Sequence, residues 1–461
     1  NSLAITNLIG IEGFTNLEHL ECQNNNITTL NLNQNINLEH LRCYGNNLTS
    51  LLIDSCVYLE YLHGSNNFLT TLNTSNNVLL KELGCYQNNL TTLDLSNNTN
   101  LIDINCSENY LNYININNCS LLIVLNCSDN ILTSINLTTN TSLRELYLWD
   151  NNLDTLNINS NTLIEKIYCE RNNLTQIDAS NNVFLQHLQC YTNNITELHL
   201  ENCTFLEFLE CAENQIDSLD VTNNLYLKYL KCEVNNLTSL DVSNNIYLED
   251  LKCEYNNIDS LDLTNNINLS LLDCSNQSIS FLDLRNGNNQ FITNYGSGGN
   301  PNLYCVNVDD TSWSNIHWTS IDPWTVFSTN CNNNPIYGCI DILACNYNPF
   351  ATIDDGSCLL PDGCTDPTAC NYDASATCDD GTCLWVNIFV SSSNVSCYGS
   401  VDGTIVVTAT GGMLPYQYSL GAGMSQSNGN FINLGAGTYY VDVTDVNGCS
   451  SNQIVIINEP P

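Results

Sequence analysis

Cysteine is the residue whose spacing first suggests chemistry. Steps of 21 residues from Cys22 land on Cys43, Gly64, Cys85, Cys106, Cys127, Leu148, Cys169, Cys190, Cys211, Cys232, Cys253 and Cys274, so eleven of thirteen positions are Cys. Thiols so placed can ligate a metal, form disulfides or simply be buried. A linear, in-register series offers no tetrahedral group of four for zinc. Neighbouring side chains that point the same way disfavour the torsion a disulfide needs. The reading is therefore a ladder of small apolar residues, inert and buried. Six histidines are scattered, and His19 and His40 occupy equivalent positions one period apart. Such a pair could bind a metal, though copying of the repeat also accounts for it. Closely spaced aspartates recur at Asp341, Asp354 and Asp355, then at Asp366, Asp379 and Asp380. Carboxylates in a Gly-containing loop suit a hard cation such as calcium; Asp and Gly are equally the ordinary residues of turns. There is no G-x-S-x-G, Walker A or H-E-x-x-H motif. No carboxylate sits in a context marking a general acid or base. The chain reads as no enzyme, with calcium as its one candidate cofactor.

The elements that position these residues follow from the period. Three residues after each ladder position from Cys22 to Cys253 stands Asn; five and eight after it, Leu or Ile; two before it, Leu or Ile. A fixed 20–29-residue period of this form marks a leucine-rich repeat, in which one turn cannot bury its apolar set but stacked turns can. The segment before each Cys alternates in and out and is expected to be a strand. Parallel pairing at ~4.8 Å makes thirteen turns a solenoid roughly 60 Å long. Asn returns thirteen residues after the ladder, replaced by Cys at Cys56, Cys119 and Cys203. The pattern resembles the cysteine-ladder repeats of bacterial internalin-type adhesins over residues 1–285. That resemblance makes these three cysteines structural, since Asn and Cys alternate there in many leucine-rich repeats.

Residues flanking the ladder are expected on the concave face. Tyr147, Trp149, Tyr168 and Tyr191 then fall together at mid-solenoid, with Glu170 and Arg171 beside them. Aromatics on a rigid sheet are what recognition surfaces use, although aromatics also simply fit strands. Eight of the nine cations lie within four residues of a ladder position, among many Glu, while the opposite side is Asn, Ser, Thr and Asp. The strand side is a mixed-charge face, and the convex side looks bland.

The period breaks over 286–335, where Trp313, Trp318 and Trp324 suggest an irregular aromatic cap closing the solenoid end; Cys305 and Cys331 are expected to pair there. Residues 336–384 hold two short copies, "GCIDILACNYNPFATIDDGSC" and "GCTDPTACNYDASATCDDGTC", too small to bury a core and in need of staples. Their seven cysteines leave one unassigned. They resemble the short cysteine-rich spacer repeats of secreted bacterial surface proteins. Residues 385–461 alternate apolar and polar with Gly and Asn turns, as an Ig-like β-sandwich does, with Cys397 and Cys449 expected to clip its ends. "SCYGSVDGTIVVTATGGMLPYQYS" and "FINLGAGTYYVDVTDVNGC" resemble SprB-type repeats. That resemblance implies a surface adhesin of gliding bacteria exported by type IX secretion, and makes Asp154-Thr155-Leu156, Asp217-Ser218-Leu219 and Asp259-Ser260-Leu261 match an O-glycosylation signal.

The formal net charge of −39 excludes a nucleic-acid or anionic-membrane footprint. No apolar run is long enough to span a bilayer. The chain, starting at Asn1, reads as a piece of a longer secreted protein. The expectation is a mainly β, surface-displayed adhesion protein that binds an extracellular protein or glycan through its concave face. The alternative is a structural component packing against other copies of itself in an extracellular filament.

Overall fold

The computed structural model describes residues 4–331, 338–349, 351, 354 and 356–460. It divides into two compact units, Asn1–Asn334 and Pro335–Pro461.

The first unit is a stack of coils that repeat every 21 residues up to Cys274. Fourteen three-residue strands form one parallel sheet, beginning with His19–Glu21 and ending with Asn294–Gly296. Register is strict: Leu20 faces Leu41, Leu41 faces Leu62, and Leu251 faces Leu272. Each strand is brief because every coil turns inward straight after it. Leu and Ile from all coils merge into one continuous buried core from Cys22 to Phe327.

Two asparagine ladders tie the coils. Asn172 Nδ2 donates to the carbonyls of Leu148 and Cys169 at 2.9 and 3.2 Å, and its Oδ1 accepts from the Leu153 N–H at 2.9 Å. One side chain thus satisfies buried backbone groups of two coils. In the second ladder Asn245 Nδ2 donates to Val221 O and Asn224 O at 3.0 and 2.9 Å. Where Cys stands in this ladder, its thiol takes over the donation. Cys203 Sγ lies 3.3 and 3.7 Å from Ala179 O and Asn182 O.

The irregular cap expected over residues 286–335 is instead a continuation of the sheet. Asn294–Gly296 pairs with Leu271–Asp273 at a step of 23 residues, Leu272 facing Tyr295. Cys305–Asn307 and Val326–Ser328 extend a second, four-stranded parallel sheet. Asn300 repeats the inner ladder, donating to Cys274 O and Ser297 O and accepting from Ile279 N. Closure follows only then. Trp318, nearly fully buried, stacks on Tyr295 at 4.3 Å, meets Phe327 edge-on at 5.6 Å, and donates its indole N–H to Ile292 O. A helix at Thr311–His317, capped by Asp310, lies alongside, and Trp324 stays exposed. Cys305 is bonded to Cys331.

In the second unit the cysteine-rich copies are mostly turns held by disulfides. Each copy closes on itself, Cys339–Cys358 and Cys364–Cys383. Each also reaches forward: Cys345 of the first bonds Cys378 of the second, and Cys370 of the second bonds Cys449 of the sandwich. The pairing expected between Cys397 and Cys449 is corrected. Cys449 serves the neighbouring copy, and Cys397 is an exposed free thiol. The unassigned seventh cysteine, Cys370, is thereby accounted for. The sandwich consists of two three-stranded antiparallel sheets enclosing Ile405, Val407, Val441, Val443 and Ile457.

Candidate functional site

The fourteen-stranded sheet carries the expected aromatic cluster. Strand Glu145–Tyr147 pairs with Lys166–Tyr168, so Tyr147 lies directly against Tyr168. Their rings stack at 5.0 Å, and Trp149 meets both edge-on at 5.7 and 6.5 Å. Two of the three rings are fixed by polar tethers. Tyr147 OH donates to Glu145 Oε2 at 2.6 Å and Trp149 Nε1 to Asp129 Oδ2 at 3.1 Å. Hydrogen bonds from Tyr147 and then Lys166 hold the Glu145 carboxyl below its usual range. Burial and the Glu145 contact push the Tyr147 phenol up. Such a preordered surface costs little side-chain entropy on binding. Tyr191 lies outside the stack, with the Arg171 guanidinium 5.9 Å from its ring.

Two of the predicted residues sit differently from expectation. Glu170 is 7% exposed, and its Oε2 has no hydrogen-bond partner. Burial pushes its carboxyl up to about 7. Glu254, one residue after its own ladder Cys, behaves alike at about 7 for the same reason. Arg171 belongs to the turn after the strand, with φ 53°, and pairs with Asp150 at 3.3 Å. The cations in general are not held ready for a ligand. Lys81 pairs with Glu60, Arg144 with Glu165, Lys166 with Glu145, Lys228 with Glu207 and Lys231 with Glu210, each across one coil.

The left-handed turn was not anticipated. The residue two after each ladder position has positive φ from Asn24 to Asn276, and twelve of these thirteen are not glycine. Thr192 and Val234 are β-branched, the type least suited to that region. The thirteenth is Gly45, where a Cβ would lie 2.5 Å from Asn24 Oδ1.

A second surface was also missed. Six residues before the ladder, Phe184, Phe205, Tyr226 and Tyr247 line the flank leading into the fourteen-stranded sheet, all 45–48% exposed. Phe205, Tyr226 and Tyr247 stack at 6.0 and 5.9 Å, with Leu225 and Ile246 exposed beside them. The same 21-residue stepping that found the ladder would have found this stripe.

The aspartates of the cysteine-rich copies each serve a turn of their own. Asp341 accepts from the Leu343 N–H, Asp354 from Gly356, Asp366 from Thr368, Asp379 from Gly381 and Asp380 from Thr382. Asp355 lies outside the described residues. Among the described residues, only His19, Glu39 and His40 bring three metal-ligand atoms together.

Comparisons accord with this geometry. The SprB repeat family matches residues 390–425. Among solved structures, the cysteine-ladder functional domain of InlJ from Listeria monocytogenes is 25% identical with a TM-score of 0.61, covering 99% of this chain and 89% of that one. A leucine-rich repeat protein of Leptospira interrogans is 21% identical, with a TM-score of 0.57, covering 71% and 93%. The internalin InlF of Listeria monocytogenes is 21% identical, with a TM-score of 0.50, covering 67% and 85%. No curated protein matches the sequence. The first unit is an internalin-like leucine-rich repeat solenoid with a cysteine ladder, and the chain carries a SprB repeat in its second.

Proposed function

We propose that this protein is a secreted or surface-displayed adhesin whose concave solenoid face binds an extracellular protein or glycan, with the second unit as its stalk. The repeat types support display outside the cell, since internalin-like solenoids and SprB repeats are those of bacterial surface proteins. Among the described residues no helix is long and apolar enough to cross a membrane. The observation that carries the reading is the packed cluster of Tyr147, Trp149 and Tyr168 on adjacent coils, with Tyr191 one coil further. Because Tyr147 and Tyr168 cover one another's faces, the cluster offers ring edges and the Trp149 indole. That geometry favours insertion of a protein side chain over stacking of a sugar ring. The test is a protein and glycan array probed with the whole chain, followed by Trp149→Ala on any hit. A hot spot costs about 2 kcal/mol or more of binding, whereas Thr222→Ala, on an exposed turn, changes nothing. Equal effects from both substitutions would refute the concave site.

The exposed stack of Phe205, Tyr226 and Tyr247 favours a second reading, self-association into a filament. Contiguous apolar stripes of this kind mark contact surfaces. Sedimentation over a wide concentration range checks it: an assembly that Tyr226→Ser dissolves, with Trp149→Ala inert, moves the assignment there.

A further inference from the structure

We propose that His19, Glu39 and His40 form a binding site for a divalent transition-metal ion of the zinc class, fastening the first coil of the solenoid to the second. His19 and His40 are register partners on the first two strands of the main sheet. Their rings stack at 4.4 Å, and one ligand atom from each of the three side chains lies within 4.8 Å of the other two.

Among the described residues none of these three side chains makes a hydrogen bond or ion pair. That separates them from His63, His199 and His317, which have polar partners; among the described residues His187 shares the lack but has no second imidazole or carboxylate grouped with it. His63 lies 3.8 Å from Glu82, His199 is flanked by Glu197 and Glu201, and His317 contacts Trp313 O; His187 stacks on Phe208. His40 is braced on its far face by Tyr61, 4.4 Å away and 8° from parallel.

Two imidazoles and one carboxylate, with a position left for water, are the donor set of zinc, nickel, copper or cobalt; calcium and magnesium prefer all-oxygen sites. Metal–ligand bonds of about 2.0–2.2 Å need the donor atoms drawn somewhat closer together. His19 is exposed, and Glu39 and His40 are only half-buried, so rotation about their own side-chain bonds suffices.

The location gives the site a purpose. In a solenoid each coil is stabilised by its contacts with its neighbours. The strand His19–Glu21 is one of the two edge strands of the fourteen. A metal bridging it to His40–Arg42 adds a side-chain tie between the first two strands of the sheet.

The experiment is calorimetric titration of the full chain with zinc chloride, beside His40→Ala, a His19→Ala/His40→Ala double variant, Glu39→Gln and His187→Ala. Circular dichroism verifies that each variant is folded. The expected result is one strong equivalent in the native chain, weakened at least about tenfold by His40→Ala, lessened by Glu39→Gln, and unchanged by His187→Ala. Copper substitution should give an electron paramagnetic resonance spectrum with two nitrogen ligands, and zinc should slow amide exchange in residues 19–21. Zinc binding of equal strength in the double variant, or a copper spectrum without nitrogen couplings, overturns the proposal.

Discussion

At the residue scale, the turn after each strand makes demands its residues do not all suit. Val234 adopts φ 55° while exposed, with only backbone bonds to hold it there. A left-handed conformation costs an L-residue with a Cβ roughly 1–2 kcal/mol. Val234→Gly should therefore raise stability by about 1 kcal/mol, and Val234→Asn by less, as denaturant midpoints will show. Glu170 makes the opposite kind of demand. Its folded carboxyl titrates near 7 rather than at the ordinary 4.5, because burial disfavours the charge. The folded state therefore holds this proton more tightly than the unfolded chain does. The stabilisation from this group is present below about pH 4.5 and is lost as pH rises through 7. Glu170→Gln should flatten that dependence and stabilise the chain at pH 8 by about 1–3 kcal/mol. Urea unfolding at pH 5 and pH 8 measures both effects.

At the element scale, the coil is held by donors aimed at carbonyls, and this fixes which substitutions a ladder tolerates. In the second ladder Asn uses its NH₂ and leaves its oxygen unpartnered, as at Asn245 and Asn266. Only the donor matters, so a thiol can deputise. Asn245→Ala, which strips the donor from Val221 O and Asn224 O, should cost about 2–4 kcal/mol. Asn245→Cys should cost clearly less, because Cys203 already fills that role; thermal denaturation of the two variants decides. The ladders were legible in the sequence because every coil from Cys22 to Cys274 keeps a step of 21. The next step is 23, which hid Ser297 and Asn300 as ladder members and made real coils look like an irregular cap. The aromatic cluster was legible because strand alternation fixes which side chains face outward. The burial of Glu170 was not, since it depends on how its side chain lies against neighbouring coils. Nor was the partner of Cys449 legible, because composition places cysteines in a module without saying which module they bond.

At the scale of the whole molecule, the cysteines divide into three chemical groups. Ten are in disulfides, fourteen are buried free thiols, and Cys397 is the one exposed thiol. Burial pushes Cys22 up to about 11 and Cys253 up to about 12, further from the reactive thiolate. Iodoacetamide on the native chain should modify Cys397 alone, and after denaturation fourteen more; labelling of Cys232 or Cys253 in the native state would contradict the buried ladder. The forward-reaching disulfides have a mechanical consequence. If the second unit is pulled between its cysteine-rich end and its sandwich, tension entering at Cys339 need follow only roughly 14 residues of backbone to reach Cys449. It crosses from Cys345 to Cys378 and from Cys370 to Cys449, where the uncrosslinked chain would pay out roughly 110 residues. Single-molecule stretching should register about 300 Å of added contour length once the bonds are reduced. The linkage thus works as an inextensible tether within the second unit, limiting how far its cysteine-rich end and its sandwich can be drawn apart.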